Sequence, residues 1–230
     1  MIPEFVNKLY EMKLNSSKII LDKFAKYYQF LEQKNQVMNL TAIISEEEVY
    51  LKHFYDSLCL SKAIILKNQK ILDVGSGAGF PSIPLKIVFP DLKITIIDSL
   101  NKRIGFLDKL TELLELDDVE LISGRVEELP TKGKYDIVTA RAVAKLNILQ
   151  ELCLPFVKTG GYFVAMKSIN YETELAEAKP GIEKLGGIIE NVIEYEISTG
   201  LKHVLILVKK IKPTESTYPR NYSQIKKRPL

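Results

Sequence analysis

Residues 70–89 read KILDVGSGAGFPSIPLKIVF, and this stretch decides the fold. Residues 70–74 are rich in aliphatics around Asp73 and read as a buried parallel strand. Glycines follow at Gly75, Gly77 and Gly79. Pro81 suits the first turn of the next helix, where its missing N–H costs no intrahelical bond. Strand, glycine turn and helix make the nucleotide-binding unit of an open α/β sheet, because glycine lets a ligand lie against the backbone.

Two details narrow the ligand. The fingerprint G-x-G-x-x-G counted from Gly75 requires a sixth-position glycine where this chain has Phe80, so a dinucleotide pyrophosphate is the poorer fit. Residues 94–98 (ITIID) read as a second buried strand ending in Asp98, about twenty residues past the last glycine, where a carboxylate accepts from both ribose hydroxyls. S-adenosylmethionine, a nucleoside without phosphates, meets both conditions. The competing reading is that Asp73 and Asp98 only cap helices.

A chain of 230 residues holds one α/β domain with an extension more comfortably than two domains. Its 46% hydrophobic and 27% charged residues are ordinary for a soluble globular protein. No apolar run approaches the roughly eighteen residues of a membrane helix, and the start, MIPEFVNKLYEMKLN, has no long apolar stretch, so a cytoplasmic protein is expected. Cys59 and Cys153 lack metal-ligand or redox spacing and read as buried apolar thiols; no metal is expected. The net charge is only +3, but residues 209–230 place seven cations against Glu215 alone. A basic tail on a slightly acidic body suggests a polyanionic partner.

The first 69 residues read as a helical extension. Ser16 and Ser17 cap a helix with Ile20, Phe24, Tyr27, Tyr28 and Leu31 at helical spacing; residues 34–43 form a structured turn; Ser45 starts a further helix with acids in its first turn. Strands are expected at 70–74, 94–98, 119–123, 135–140 and 162–167. Helices lie between them over 81–89, from a cap at Asn101 with Ile104, Leu107, Leu110, Leu113 and Leu114 on one face, and over 145–156, with Gly160 and Gly161 as a turn. After a helix over 172–185, strands at 188–197 and 203–210 have no helix between them and read as an antiparallel hairpin. The fold class is α/β, a Rossmann-like class I methyltransferase: a seven-stranded, mainly parallel sheet with a C-terminal antiparallel hairpin and an N-terminal helical extension. Residues 70–210 form the S-adenosylmethionine-binding domain and 211–230 a basic tail.

Ligands of such sheets bind outside the carboxyl ends of the strands. A nucleoside there has its base near Val126 and Glu127, an apolar face beside a carboxylate, unless Glu127 is merely a solvated acid. Arg141, where the fourth strand opens onto the cleft, is suited to the cofactor carboxylate or a substrate phosphate. The chain lacks both the Asp/Asn-Pro-Pro-aromatic run of adenine amino methylation and the Pro-Cys nucleophile of cytosine C5 methylation. An acceptor that is already nucleophilic, such as guanine N7, needs positioning and water exclusion rather than a general base.

The segments DVGSGAGFPSIPL (73–85), NQVMNLT (35–41), His53 with Asp56-Ser57-Leu58, IIDSLNKRIGFL (96–107), ARAVA (140–144) and YPRNYSQIKKRPL (218–230) resemble, in order, the bacterial 16S rRNA guanine-N7 methyltransferases, the glucose-inhibited division protein B family. The resemblance implies S-adenosylmethionine as donor, with cofactor contacts at Gly75, Phe80, Val126, Glu127 and Arg141. It implies guanine N7 of 16S rRNA, free or in an assembling small subunit, as acceptor. Ser82 departs from the glycine usual after the Phe-Pro pair. By the same resemblance His53 and the tail residues Tyr218, Arg220, Tyr222, Lys226, Lys227 and Arg228 become RNA-facing, the aromatics by stacking and the cations by meeting phosphates. A monomer is expected. Competing readings are a methyltransferase of small molecules or proteins, against which the basic tail argues, and a catalytically silent RNA-binding protein.

Overall fold

In the computed structural model, whose description covers residues 2–230, the chain enters through α1 (Pro3–Glu11) and α2 (Lys18–Met38). The Asn35–Thr41 turn follows: Asn35 Oδ1 accepts from the amides of Leu40 and Thr41, and its Nδ2 donates to Thr41 O. Ser45 and Glu48 close the next helix start: Ser45 Oγ accepts from Glu48 N and donates to Glu48 Oε2. They open one continuous helical segment: α3 (Glu46–Glu48), a π-helical stretch (Val49–Tyr55), α4 (Asp56–Leu58) and a 3₁₀ turn (Cys59–Lys62). At α2, Ser17 occupies the cap position but makes no side-chain cap bond.

The sheet then alternates with helices: β1 (Lys70–Val74), α5 (Ser82–Val88), β2 (Lys93–Asp98), α6 (Asn101–Leu113), β3 (Val119–Ser123), β4 (Tyr135–Arg141), α7 (Leu146–Cys153), β5 (Val157–Ser168), α8 (Glu172–Lys184), β6 (Gly187–Ser198), β7 (Leu201–Lys210) and α9 (Tyr222–Lys227). Strand order is β3-β2-β1-β4-β5-β7-β6. The first five strands are parallel, and β7 inserts antiparallel between β5 and β6. The hairpin expected from the missing crossover helix is therefore present. Gly160 and Gly161 do not form the expected turn. They lie within β5, where pairing with β4 jumps from Tyr135–Val157 to Ile137–Tyr162, so they form a bulge.

Period-two alternation separates two cores. Ile71, Ile96, Ile137, Val164 and Leu205 face the N-terminal helices, and Leu72, Ile97, Val138, Phe163 and Ile206 face α7 and α8. Both faces are covered, which explains the unbroken aliphatic runs. In α6, Phe106, Leu107 and Leu110 are buried while Leu113 is 40% exposed, shifting the expected face by part of a turn. Asn101 is the first helical residue rather than the cap. The cap position is Leu100, without a side-chain cap bond, and Asp98 Oδ1 accepts from the Leu100 amide at 3.0 Å, closing the turn that leads into α6.

Gly79 joins these layers. Its φ is +104°, and an added Cβ would lie 2.7 Å from Ile83 Cγ1 and 2.9 Å from both Leu107 Cδ2 and the Tyr27 hydroxyl. Gly79→Ala is expected to destabilise the chain by about 3 kcal/mol through strain and overpacking, read as a lower urea midpoint at unchanged slope. A wild-type midpoint would contradict this packing.

Candidate functional site

The carboxyl ends of β1 and β4 diverge at the point where strand order reverses and open a cleft of about 1060 Å³. One end is the glycine loop. Gly75 N donates to Ile97 O at 2.8 Å, and Gly75 adopts a φ of +73° with its missing Cβ against Val143. Gly77, at φ +62°, faces open space, with nothing within 4 Å of where a Cβ would sit. Asp98 ties this loop down: Oδ2 accepts from Gly77 N and from Arg103 Nη1, both at 3.2 Å. Asp98 thus has a structural task, bracing the glycine loop and the turn before α6, and also lines the cleft.

Asp73 lies one layer deeper. It is fully buried, its Oδ2 accepts from Ser82 N at 3.3 Å, and its Oδ1 has no hydrogen-bond partner among the described residues. Burial pushes its carboxyl up to about 7, against the lowering effect of Ser82. Ser76 Oγ, at the cleft wall, is likewise buried without a partner. An open glycine cradle, an orphaned hydroxyl and a clamped carboxylate fit a nucleoside-bearing ligand such as S-adenosylmethionine. Gly124, Arg125, Val126 and Glu127 complete this end. Val126 is buried, and Glu127 Oε1 accepts from Tyr222 N at 3.2 Å and lies 3.8 Å from Arg125 Nη1.

The other end is built around Arg141. Its Nη1 donates to Asp56 Oδ2 at 2.7 Å and to Lys52 O at 3.1 Å, and Nη2 lies 3.2 Å from His53 Nδ1. The guanidinium also sits over the Phe80 ring, 4.9 Å from its centroid. Asp56 is 1% exposed, and its Oδ1 accepts from Tyr195 Oη at 2.6 Å and from His203 Nδ1 at 3.0 Å. Burial alone would raise the Asp56 carboxyl; the His203 hydrogen bond and the Arg141 charge outweigh it and hold it below the usual range. His53 stacks on Phe80 at 4.5 Å, Phe80 on Tyr27 at 5.5 Å, and His53 Nε2 meets Thr41 Oγ1 at 2.8 Å. Burial, reinforced by Arg141, lowers the imidazole to about 3, so the ring is neutral.

Sequence reasoning singled out Arg141 and His53 but not Asp56 as their partner, nor Tyr195 and His203. The signal lies in the hairpin register, which pairs Tyr195 with His203. The tail also has more structure than its composition indicates. Tyr218 is buried. Arg220 makes three bonds to the buried Glu151: its backbone N and Nε donate to Oε1 at 2.9 and 2.8 Å, and Nη2 donates to Oε2 at 2.5 Å. Lys226, Lys227 and Arg228 stay exposed. Both cysteines are fully buried free thiols. Among the described residues no helix is long and apolar enough to cross a membrane, and no group of three or more His, Cys, Asp or Glu side chains is placed to hold a metal ion.

The sheet order, hairpin and glycine cradle define a class I methyltransferase fold. A SAM-dependent methyltransferase from Aquifex aeolicus superposes with a TM-score of 0.57 at 18% identity, covering 73% of this chain and 94% of that one. TYW2 of M. jannaschii, solved in complex with AdoMet, gives 0.56 at 20% identity over 68% of this chain and 77% of its own. The family model described as "GidB: rRNA small subunit methyltransferase G" matches residues 20–202. Ribosomal RNA small subunit methyltransferase G of Staphylococcus saprophyticus is 52% identical over 90% of this chain and 89% of its own length. The protein of the same name from Staphylococcus carnosus is 48% identical over 98% and 97%. The chain belongs to the rRNA small subunit methyltransferase G family.

A pH test follows from Asp73. Its folded value lies above the ordinary carboxyl value of about 4, so the folded state holds a proton that the unfolded chain releases. The stability this contributes is complete below the unfolded value of about 4 and is lost as pH rises through about 7. Between about pH 4 and pH 7, urea unfolding should weaken more steeply for the wild type than for Asp73→Asn. Equal slopes would contradict a protonated buried carboxyl.

Proposed function

We propose that this chain transfers the methyl group of S-adenosylmethionine to N7 of a guanine in 16S rRNA. The observation that carries this is the two-ended cleft: a glycine cradle clamped by Asp98 at one end, and a charge-neutralised aromatic wall at the other. When bound, S-adenosylmethionine supplies an electrophilic methyl on a sulfonium. The cradle holds it through Gly75, Gly77 and Asp98, with Val126 and Glu127 at the base, and Phe80 closes the wall between the two ends.

Guanine N7 offers a lone pair without losing a proton, so the chain has only to orient the acceptor and exclude water. The polar groups of the second end suit that task. Asp56 is committed to three donors, and His53, lowered to about 3 by burial, is a weak base whose ring nitrogens already meet Thr41 and Arg141, so neither is suited to act as a base. A neutral His53 also adds no positive charge beside a product that is itself a cation. Arg141, already balanced by Asp56, positions the wall. Lys226 and Lys227 at the end of α9 and Arg228 just after it are exposed and are the tail groups available to RNA phosphates.

The test is to incubate the chain and methyl-labelled S-adenosylmethionine with unmodified 16S rRNA and with small-subunit particles, then locate 7-methylguanine by chemical cleavage. Label at one guanine is expected in at least one substrate; no label in either would overturn the proposal. The initial rate should stay within about threefold from pH 6 to 8.5, since no side chain has to gain or lose a proton. Gly77→Val, which fills the open side of the cradle at a positive φ, should lower S-adenosylmethionine affinity by at least about a hundredfold, as measured by calorimetry. Unchanged affinity would move the cofactor elsewhere.

A further inference from the structure

We infer that the C-terminal segment, residues 218–230, is a wall of the cofactor site, and that Tyr222 is a cofactor-binding residue at its nucleoside end. The inference rests on the proposed S-adenosylmethionine reading of the cleft. It gives the tail a task that its charge does not suggest, since a run of cations points outward to a polyanion.

Three observations carry it. Tyr222 lines the same cleft as Asp98, Gly124, Val126 and Glu127, the residues expected around a ribose and its base. It is tied to two of that group's neighbours: its N–H donates to Glu127 Oε1 at 3.2 Å, and the Arg125 guanidinium lies 5.5 Å from its ring centroid. The segment carrying it is fastened to the body on both sides of Tyr222. Before it, Arg220 makes its bidentate pair with Glu151, which is 0% exposed, and Lys132 Nζ donates to the carbonyls of Ser216 and Tyr218. After it, Ile225 is fully buried in the core beside α7, and Gln150 Nε2 donates to Leu230 O at 3.3 Å. An exposed solubilising arm needs none of this. The fastening holds an aromatic ring where a purine needs a flat apolar neighbour, and it holds an N–H that fixes the base-facing carboxylate of Glu127.

Docking of the strap and occupation of the cleft are therefore linked, and each strengthens the other. The measurement is calorimetric binding of S-adenosylmethionine, S-adenosylhomocysteine and adenosine to the full chain and to its Tyr222→Ala, Tyr222→Phe and Lys226→Ala/Lys227→Ala variants. Loss of the ring should weaken all three ligands roughly tenfold, adenosine included, because the contact is to the nucleoside. Tyr222→Phe, which keeps the ring, and the double lysine variant should bind as the wild type does. Ligand-free thermal unfolding of Tyr222→Ala within about 3 °C of the wild type assigns the loss to the site rather than to the fold. If Tyr222→Ala melts lower, Tyr222→Phe decides: it must restore both melting and affinity, and restored melting with weak binding overturns the inference. Wild-type binding with Tyr222→Ala unchanged overturns this inference alone. Failure of the wild-type chain to bind S-adenosylmethionine overturns the proposed function and the inference with it.

Discussion

The ion pair between Asp56 and Arg141 is the constraint on which the geometry of the cleft depends. Asp56 opens α4 directly after the π-helical stretch of the N-terminal segment, Arg141 ends β4, and the remaining partners of the carboxylate, Tyr195 and His203, come from β6 and β7. One buried carboxylate thereby joins the N-terminal helices, the central sheet and the antiparallel hairpin. Removing two charges from water costs several kcal/mol per ion, and the pair is tolerable because every oxygen of Asp56 has a donor. Breaking it from one side leaves a buried charge uncompensated, a loss of about 3 to 5 kcal/mol.

The consequences spread from Arg141. With its charge neutralised by Asp56, the guanidinium packs on Phe80, and Phe80 is held between His53 and Tyr27. Tyr27 Oη in turn donates to Ala78 O at 2.5 Å, inside the glycine loop. The N-terminal helices therefore brace the glycine loop and share one apolar core with β1 and β2. Asp98 clamps the loop from the other side. The two carboxylates divide the work: Asp56 fixes the Arg141 end of the cleft and Asp98 the glycine-loop end, while the deeper Asp73 accepts from the Ser82 amide.

Much of this was legible in the chain. Aliphatic runs closed by a carboxylate located β1 and β2, the glycine spacing with Phe80 in the sixth place separated a nucleoside from a dinucleotide, and the missing crossover helix announced the hairpin. What escaped depends on contacts distant in sequence. Asp56 meets Tyr195 and His203 across 139 and 147 residues, and Arg220 meets Glu151 across 69. A cation near the end of a basic tail looks solvated until its buried partner is known. The bulge at Gly160 and Gly161 was read as a turn for a similar reason. Two glycines signal a break in regular pairing, and only the neighbouring β4 shows that the strand resumes in the same direction.

The most direct test of the central claim is a double-mutant cycle on Asp56→Asn and Arg141→Met, read by urea unfolding together with S-adenosylmethionine binding. If the pair locks the cleft, the single variants lose about 3 kcal/mol or more each. The double variant loses far less than their sum, with a coupling of about 2 kcal/mol or more, and both singles weaken cofactor binding through the displaced Phe80 wall. Additive stability losses with unaltered binding would contradict the account, because Asp56 and Arg141 would then be neighbours without being the link between the three parts of the fold.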